Sequence, residues 1–186
     1  EGDLRLVEFH SKANALTDES MEIVAAAAAD HGKGIIIHND AQHFSAGVDL
    51  NAFRAYIEAE DWDGIDGFLD RFQKAVCALK YTPVPVVGAP SGLAAGGGYE
   101  VLAHCDRLVV HTNSVMGLVE AGVGVVPGGG GIKDTFFRWH AAKDSWDEAA
   151  WQTWMNIGYG ATGSSPQLSA RMMYFCLLYT SDAADD

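Results

Sequence analysis

The chain has 186 residues, 48% of them hydrophobic and 20% charged, long enough to bury one substantial core and too apolar for a disordered segment. Its formal charge of −13 argues against a nucleic-acid partner, because a phosphate backbone demands a basic surface. No apolar run approaches the ~20 residues of a membrane span. The three cysteines, Cys77, Cys105 and Cys176, are odd in number and lack metal-ligand spacing, as expected of reduced thiols in a cytoplasmic protein.

In chain order, Leu4, Leu6 and Phe9 place a strand at residues 3–9, from near-alternating hydrophobicity. Thr17 is an N-cap, with Asp18 and Glu19 in the first turn behind it, where acidic side chains complement the helix dipole. Met21, Val24, Ala25 and Ala28 then recur at i, i+3, i+4, i+7, the stripe of a core-facing helix. Gly34 ends that unit and Ile35, Ile36 and Ile37 form a short buried strand. Residues 38–49 read as a loop of small and polar residues. A second amphipathic helix carries Ile65, Phe68, Leu69, Phe72, Ala75, Val76 and Leu79 and stops before Pro83 and Pro85. A buried strand at 84–87, a glycine-rich turn at 92–98, a helix from about Gly97 to His104 and a strand at 107–111 follow. Strands alternating with helices at this spacing predict an α/β protein. Trp139, Trp146, Trp151 and Trp154 lie in a helical stretch, where aromatics at such spacing serve the core or a subunit interface more often than a ligand.

Three segments carry chemistry. The run FSAGVDL at 44–50 and the run PSGLAAGGGYE at 90–100 each follow a buried strand. Small-residue turns at strand ends leave backbone N–H groups unpaired and approachable. The third run, MGLVEAGVGVVP at 116–127, embeds Glu120 among apolar and small residues, where an unpaired carboxylate is costly. Glu100 falls in the first turn of the helix that the glycines open. Taken singly, glycine clusters are ordinary turns, and a glutamate at a helix start is usually a solvated dipole partner. Together, two facing turns would make an oxyanion hole, and two carboxyl groups beside it suit general acid–base work on a carbonyl compound.

In this order the segments resemble the enoyl-CoA hydratase/isomerase (crotonase) family. FSAGVDL, SGLAAGGGYEVLAHCD and EAGVGVVPGGGG match its three signatures, Ala13-Asn14-Ala15-Leu16 fits its entry strand, and the likeness covers roughly residues 3–133. The resemblance implies an α/β crotonase-like (ClpP/crotonase) fold of repeated ββα units, in trimers or dimers of trimers. It implies catalysis by Glu100 and Glu120, with an oxyanion hole from the Val48 and Gly97 amides. It also implies substrate contacts from Lys12, Ala13, Ala15, Ser45, Ala46, Asp49, Leu50 and Gly96. The implied reaction is addition of water to a 2-enoyl-CoA in fatty acid or related acyl-CoA degradation. The thioester is the substrate, with no further cofactor and no metal. Presence of both glutamates favours hydration over Δ3,Δ2-enoyl-CoA isomerisation, which needs one carboxylate; a non-catalytic acyl-CoA-binding module is the alternative of another class. The anionic coenzyme would have to be met by local cations such as Lys12, Lys33, Arg54 and Lys133.

Residues 133–165 depart from the common hydratase pattern and look closer to the hydratase-like portion of bacterial fused 3-hydroxyacyl-CoA dehydrogenases. The chain opens on Glu1 without Met, so an NAD-binding domain upstream is expected to have been lost; no dinucleotide fingerprint remains, since Pro127 stands where glycine is required. The catalytic core is expected at 1–175, lacking the family's C-terminal helices. Residues 176–186, CLLYTSDAADD, resemble translated adapter sequence and are set apart from it. A serine-hydrolase reading fails because Ser91 sits in Gly88-Ala89-Pro90-Ser91-Gly92 and not in a Gly-x-Ser-x-Gly elbow.

Overall fold

The computed structural model describes residues 3–175 and the backbone of 180–181. The first half runs β1 (Leu4–Val7), α1 (Asp18–Ala29), β2 (Gly34–His38), α2 (Leu50–Glu58), α3 (Trp62–Lys80) and β3 (Val86–Ala89). It continues with β4 (Leu93–Ala95), α4 (Gly97–Ala103), β5 (Arg107–Leu108), β6 (Val110–His111) and β7 (Val115–Gly117). A 3-10 turn at Glu120–Val123 precedes α5 (Gly131–Lys143), α6 (Trp146–Gly158), β8 (Thr162–Gly163), α7 (Pro166–Arg171) and β9 (Thr180–Ser181).

The main sheet is parallel, in the order β1-β2-β3-β5. A second sheet has the order β4-β7-β8, parallel between β4 and β7 and antiparallel between β7 and β8. A strand of the first sheet, a strand of the second and a helix thus follow one another in β3, β4 and α4. Parallel strands need helical crossovers, and the two apolar stripes supply them. α1 packs along α3, with Met21 and Val24 buried on one and Phe68, Phe72 and Val76 on the other. Arg71 of α3 closes the pair with a forked contact to the Asp18 carboxylate, at 2.8 and 3.0 Å.

Strand limits follow hydrogen bonding more closely than hydropathy. β1 stops at Val7, short of the expected 3–9, because the Phe9 amide donates to the Asn39 side chain at 2.7 Å. β3 begins two residues later than the 84–87 run. Pro85 has no N–H to give; its carbonyl accepts from Ile35 while the Val86 amide donates to the Asp106 carboxylate. The expected strand 107–111 divides in two, β5 on β3 and β6 on β9. The sequence reading missed α2, although Asp49 caps it through the Asn51 amide and Leu50, Phe53 and Ile57 have helical spacing.

Of the four tryptophans from residue 139 on, only Trp139 lies in the core; Trp146, Trp151 and Trp154 are exposed, with Trp146 stacked on Phe136 and Trp151 on Trp154. Cys77 and Cys105 are free thiols; Cys176 and the rest of 176–186, apart from the backbone of 180–181, lie outside the described residues. Among the described residues no helix is long and apolar enough to cross a membrane. Phe72, 1% exposed, joins α3 to the glycine turns. Phe72→Ala should therefore destabilise the fold by about 3–5 kcal/mol, read as a lower urea midpoint.

Candidate active site

Two bridges outside the regular strands set the site: Leu16 pairs with Val48, and Ser45 with Ala94. The first lays residues 45–48 against the entry segment; the second lays them along β4. Ser45 is fully buried, donating its hydroxyl to the Asn14 carbonyl at 2.7 Å and accepting from the Gly47 amide at 3.1 Å. Gly47 has φ +95, and a Cβ there would lie 3.0 Å from the Ala95 carbonyl oxygen, so glycine is what allows the turn. The Gly47 carbonyl accepts from Leu16, and the Leu16 carbonyl accepts from Asp49. Val48, between them, has an amide with no acceptor among the described residues.

The second turn is built likewise. Gly96, at φ +52, donates its amide to the Gly117 carbonyl at 2.8 Å. Gly97 opens α4, and its amide too has no acceptor among the described residues. The two turns touch: a Cβ on Gly97 would sit 2.8 Å from Val48 Cγ2.

Glu100 departs from the solvated helix-start glutamate that such positions usually hold. It is 2% exposed, and its Oε1 accepts from the Gly129 amide at 2.8 Å and the Gly131 amide at 3.0 Å. Burial pushes the carboxyl up to about 7; the Gly131 amide opposes this and the charge of nearby Glu120 adds to it. Glu120 leads the 3-10 turn after β7. Burial raises its pKa also, and its Oε2 is buried without a hydrogen-bond partner. Its Oε1 lies 2.7 Å from where a Gly96 Cβ would be, so a side chain at 96 would collide with it.

One cavity of about 540 Å³ is lined by Ala46, Val48, Leu50, Gly96, Gly97, Glu100 and Glu120, with Phe53, Ile57, Trp62, Phe68, Leu69 and Phe72 as apolar wall. The expected catalytic residues thus share one cavity with Ala46, Leu50 and Gly96. Lys12, Ala13, Ala15, Ser45 and Asp49 do not line it: Ser45 is spent on packing, Asp49 caps α2, and the Ala13 carbonyl accepts from Ala46. Of the four cations expected near an anionic ligand, Arg54 is paired with Glu58 at 2.7 Å. The sequence reading missed the α2 and α3 wall, which the spacing of Leu50, Phe53 and Ile57 could have signalled. It also missed the role of the Gly129 and Gly131 amides, which no sequence pattern assigns to a particular carboxyl. Among the described residues no group of three or more His, Cys, Asp or Glu is placed to hold a metal ion.

Fold and cavity together define an α/β protein in which strand-end turns and two carboxyl groups share one cavity. The pattern of the Enoyl-CoA hydratase/isomerase family matches residues 5–139, and the chain belongs to that family. It is 31% identical over 173 residues to a probable 3-hydroxyacyl-CoA dehydrogenase of Bacillus subtilis, covering 91% of this chain and 22% of that one. Identity is 35% over 118 residues to a putative fatty acid oxidation complex trifunctional enzyme of Rickettsia felis, covering 63% of this chain and 16% of the relative. The chain therefore spans about a fifth of the length of these curated relatives. An enoyl-CoA hydratase from Bacillus anthracis superposes with a TM-score of 0.78 at 18% identity, over 97% of this chain and 67% of the other. The crotonase-like fold expected from the sequence is the fold observed.

Proposed function

We propose that the chain adds water across the C2–C3 double bond of a 2-enoyl-CoA thioester. The observation that carries this reading is that Val48 and Gly97, whose amides have no acceptor among the described residues, line the same cavity as Glu100 and Glu120. In this reading the amides hold the thioester oxygen as it gains enolate charge. Glu100, near half-ionised at neutral pH, takes a proton from the water that attacks C3. Glu120, whose proton affinity burial raises, delivers a proton to C2. The product is a 3-hydroxyacyl-CoA, and proton exchange between the two carboxyls resets the pair. The apolar wall from α2 and α3 accommodates the acyl chain. Relatives named for 3-hydroxyacyl-CoA dehydrogenase and for a fatty acid oxidation complex support an acyl-CoA substrate. The presence of two carboxyls favours hydration over isomerisation, which needs one.

Assaying the chain with crotonyl-CoA and with a 3-enoyl-CoA side by side tests the reading: loss of the ultraviolet absorbance of the conjugated enoyl thioester is expected with the first, because hydration saturates C2–C3. Isomerisation of the second without hydration of the first would overturn it. Gly97→Ala would press a methyl group onto Val48 Cγ2, at 2.8 Å, and part the two amides. Turnover should fall about 10²–10³-fold, the size of losing one oxyanion donor.

A further inference from the structure

Behind Glu100, away from the amide pair, lies a cluster that the proposed chemistry does not use. His104 is 2% exposed and follows Glu100 by one helical turn. Its Nδ1 meets the Glu100 backbone carbonyl at 2.7 Å. A carbonyl only accepts, so Nδ1 carries a proton. Nε2 faces Asp134 Oδ2 at 3.6 Å, and both atoms are buried without a hydrogen-bond partner. The other Asp134 oxygen accepts from Lys80 Nζ, at the end of α3, at 2.8 Å.

This cluster is in contact with the loop that grips Glu100. Gly130, at φ +104, lies so close to the imidazole that a Cβ there would be 3.0 Å from His104 Cε1 and 3.1 Å from Nε2. Its neighbours Gly129 and Gly131 are the two amide donors to Glu100 Oε1. Asp134 stands in the first turn of α5, which Gly131 opens. Lys80 therefore ties that turn to α3, and His104 ties it to α4. Lys133, also in the first turn of α5, shares with His104 and Cys77 the wall of a second hollow of about 880 Å³. The charged groups facing the imidazole are Asp134, Lys80 and Lys133, and Glu100 meets it through its backbone carbonyl.

We propose that His104, with Asp134 and Lys80, is a positioning unit that seats the Gly129–Gly131 amides on the Glu100 carboxyl. It deepens the hydration reading by naming what holds its base in place. Each glycine amide favours the ionised carboxylate, and amides on a glycine loop have little rigidity of their own. The ring supplies it from one side and the Lys80–Asp134 pair from the other. Loosening the loop weakens both hydrogen bonds and leaves burial unopposed, so Glu100 then ionises at higher pH.

The test follows the Glu100 carboxyl directly in the full chain, by ¹³C NMR of protein labelled at glutamate carboxyls, with Glu100→Gln identifying the resonance. In His104→Phe the ionisation midpoint is expected to rise by half a pH unit or more, about threefold in the ionisation constant. His104→Asn, which keeps a donor near the Nδ1 position, should restore it towards the unsubstituted value. Should His104→Phe fail to fold, His104→Leu carries the same expectation without the added bulk. A midpoint unchanged in the folded Phe or Leu variant overturns the inference. Because the measurement needs no substrate, a chain that leaves crotonyl-CoA unhydrated overturns the functional reading and not this one.

Discussion

Glu120→Gln is expected to lower hydration of crotonyl-CoA by a factor of ~10²–10⁴, the range for removing a positioned general acid. Glutamine keeps the shape of the side chain beside Gly96, whose missing Cβ leaves room for Oε1. It removes the one exchangeable acidic proton that this position can deliver. Binding of the thioester depends instead on the amide pair and the α2–α3 wall, so affinity for a saturated acyl-CoA should stay within about tenfold. Steady-state kinetics with titration of butyryl-CoA separates the two. Turnover in the variant near the unsubstituted rate would remove Glu120 from the chemistry. Lost affinity with turnover unchanged would place it in binding alone.

The second large effect is on stability. Glu100 is buried and ionises at about 7, against an ordinary 4.5. Between those values the unfolded chain has given up this proton while the folded chain keeps it. The folded state therefore binds more protons there, and stability falls as pH rises through the window. The loss is complete above about 7 and amounts to roughly 3 kcal/mol. Glu100→Gln removes this dependence while its side-chain oxygen still accepts from Gly129 and Gly131. The variant should match the parent chain near pH ~5 and exceed it by a few kcal/mol near pH ~8, measured by urea unfolding across that range. A stability difference that stays flat with pH would show that Glu100 ionises in the fold as it does in water. The same substitution should also lower turnover, so stability would rise as function falls, the usual consequence of a strained polar group kept in a site.

Local pattern and local geometry divided the fold unevenly. The α1 and α3 stripes were legible because an apolar face of helical period has few alternative readings. α3 nevertheless begins at Trp62, ahead of the first apolar residue counted, because Asp61 caps it through the Gly64 amide. β3 was displaced by two residues because Pro85 gives no N–H and Asp106, distant in sequence, takes the first amide of the strand. α2 was passed over although its cap and spacing were both present. At the site, Glu100 and Glu120 stood out in the three small-residue segments, Val48 and Gly97 were named through the family resemblance those segments carry, and all four line one cavity. The environment of Glu100 was not legible: a glutamate in the first turn of a helix is usually solvated, while its partners come from Gly129 and Gly131, about thirty residues on.

By itself the sequence determined the alternation of strands and helices, the glycine turns around Gly47 and Gly96, and the identity of the two acidic side chains. Those follow from side-chain period and from where a Cβ cannot be tolerated, both local properties. Only the tertiary structure decided that Val48 packs on Gly97, that Glu100 is closed off from water and that a histidine, an aspartate and a lysine from three helices meet behind it. Burial and long-range hydrogen bonds set the proton affinity of a carboxyl, and neither exists until the chain has folded around it.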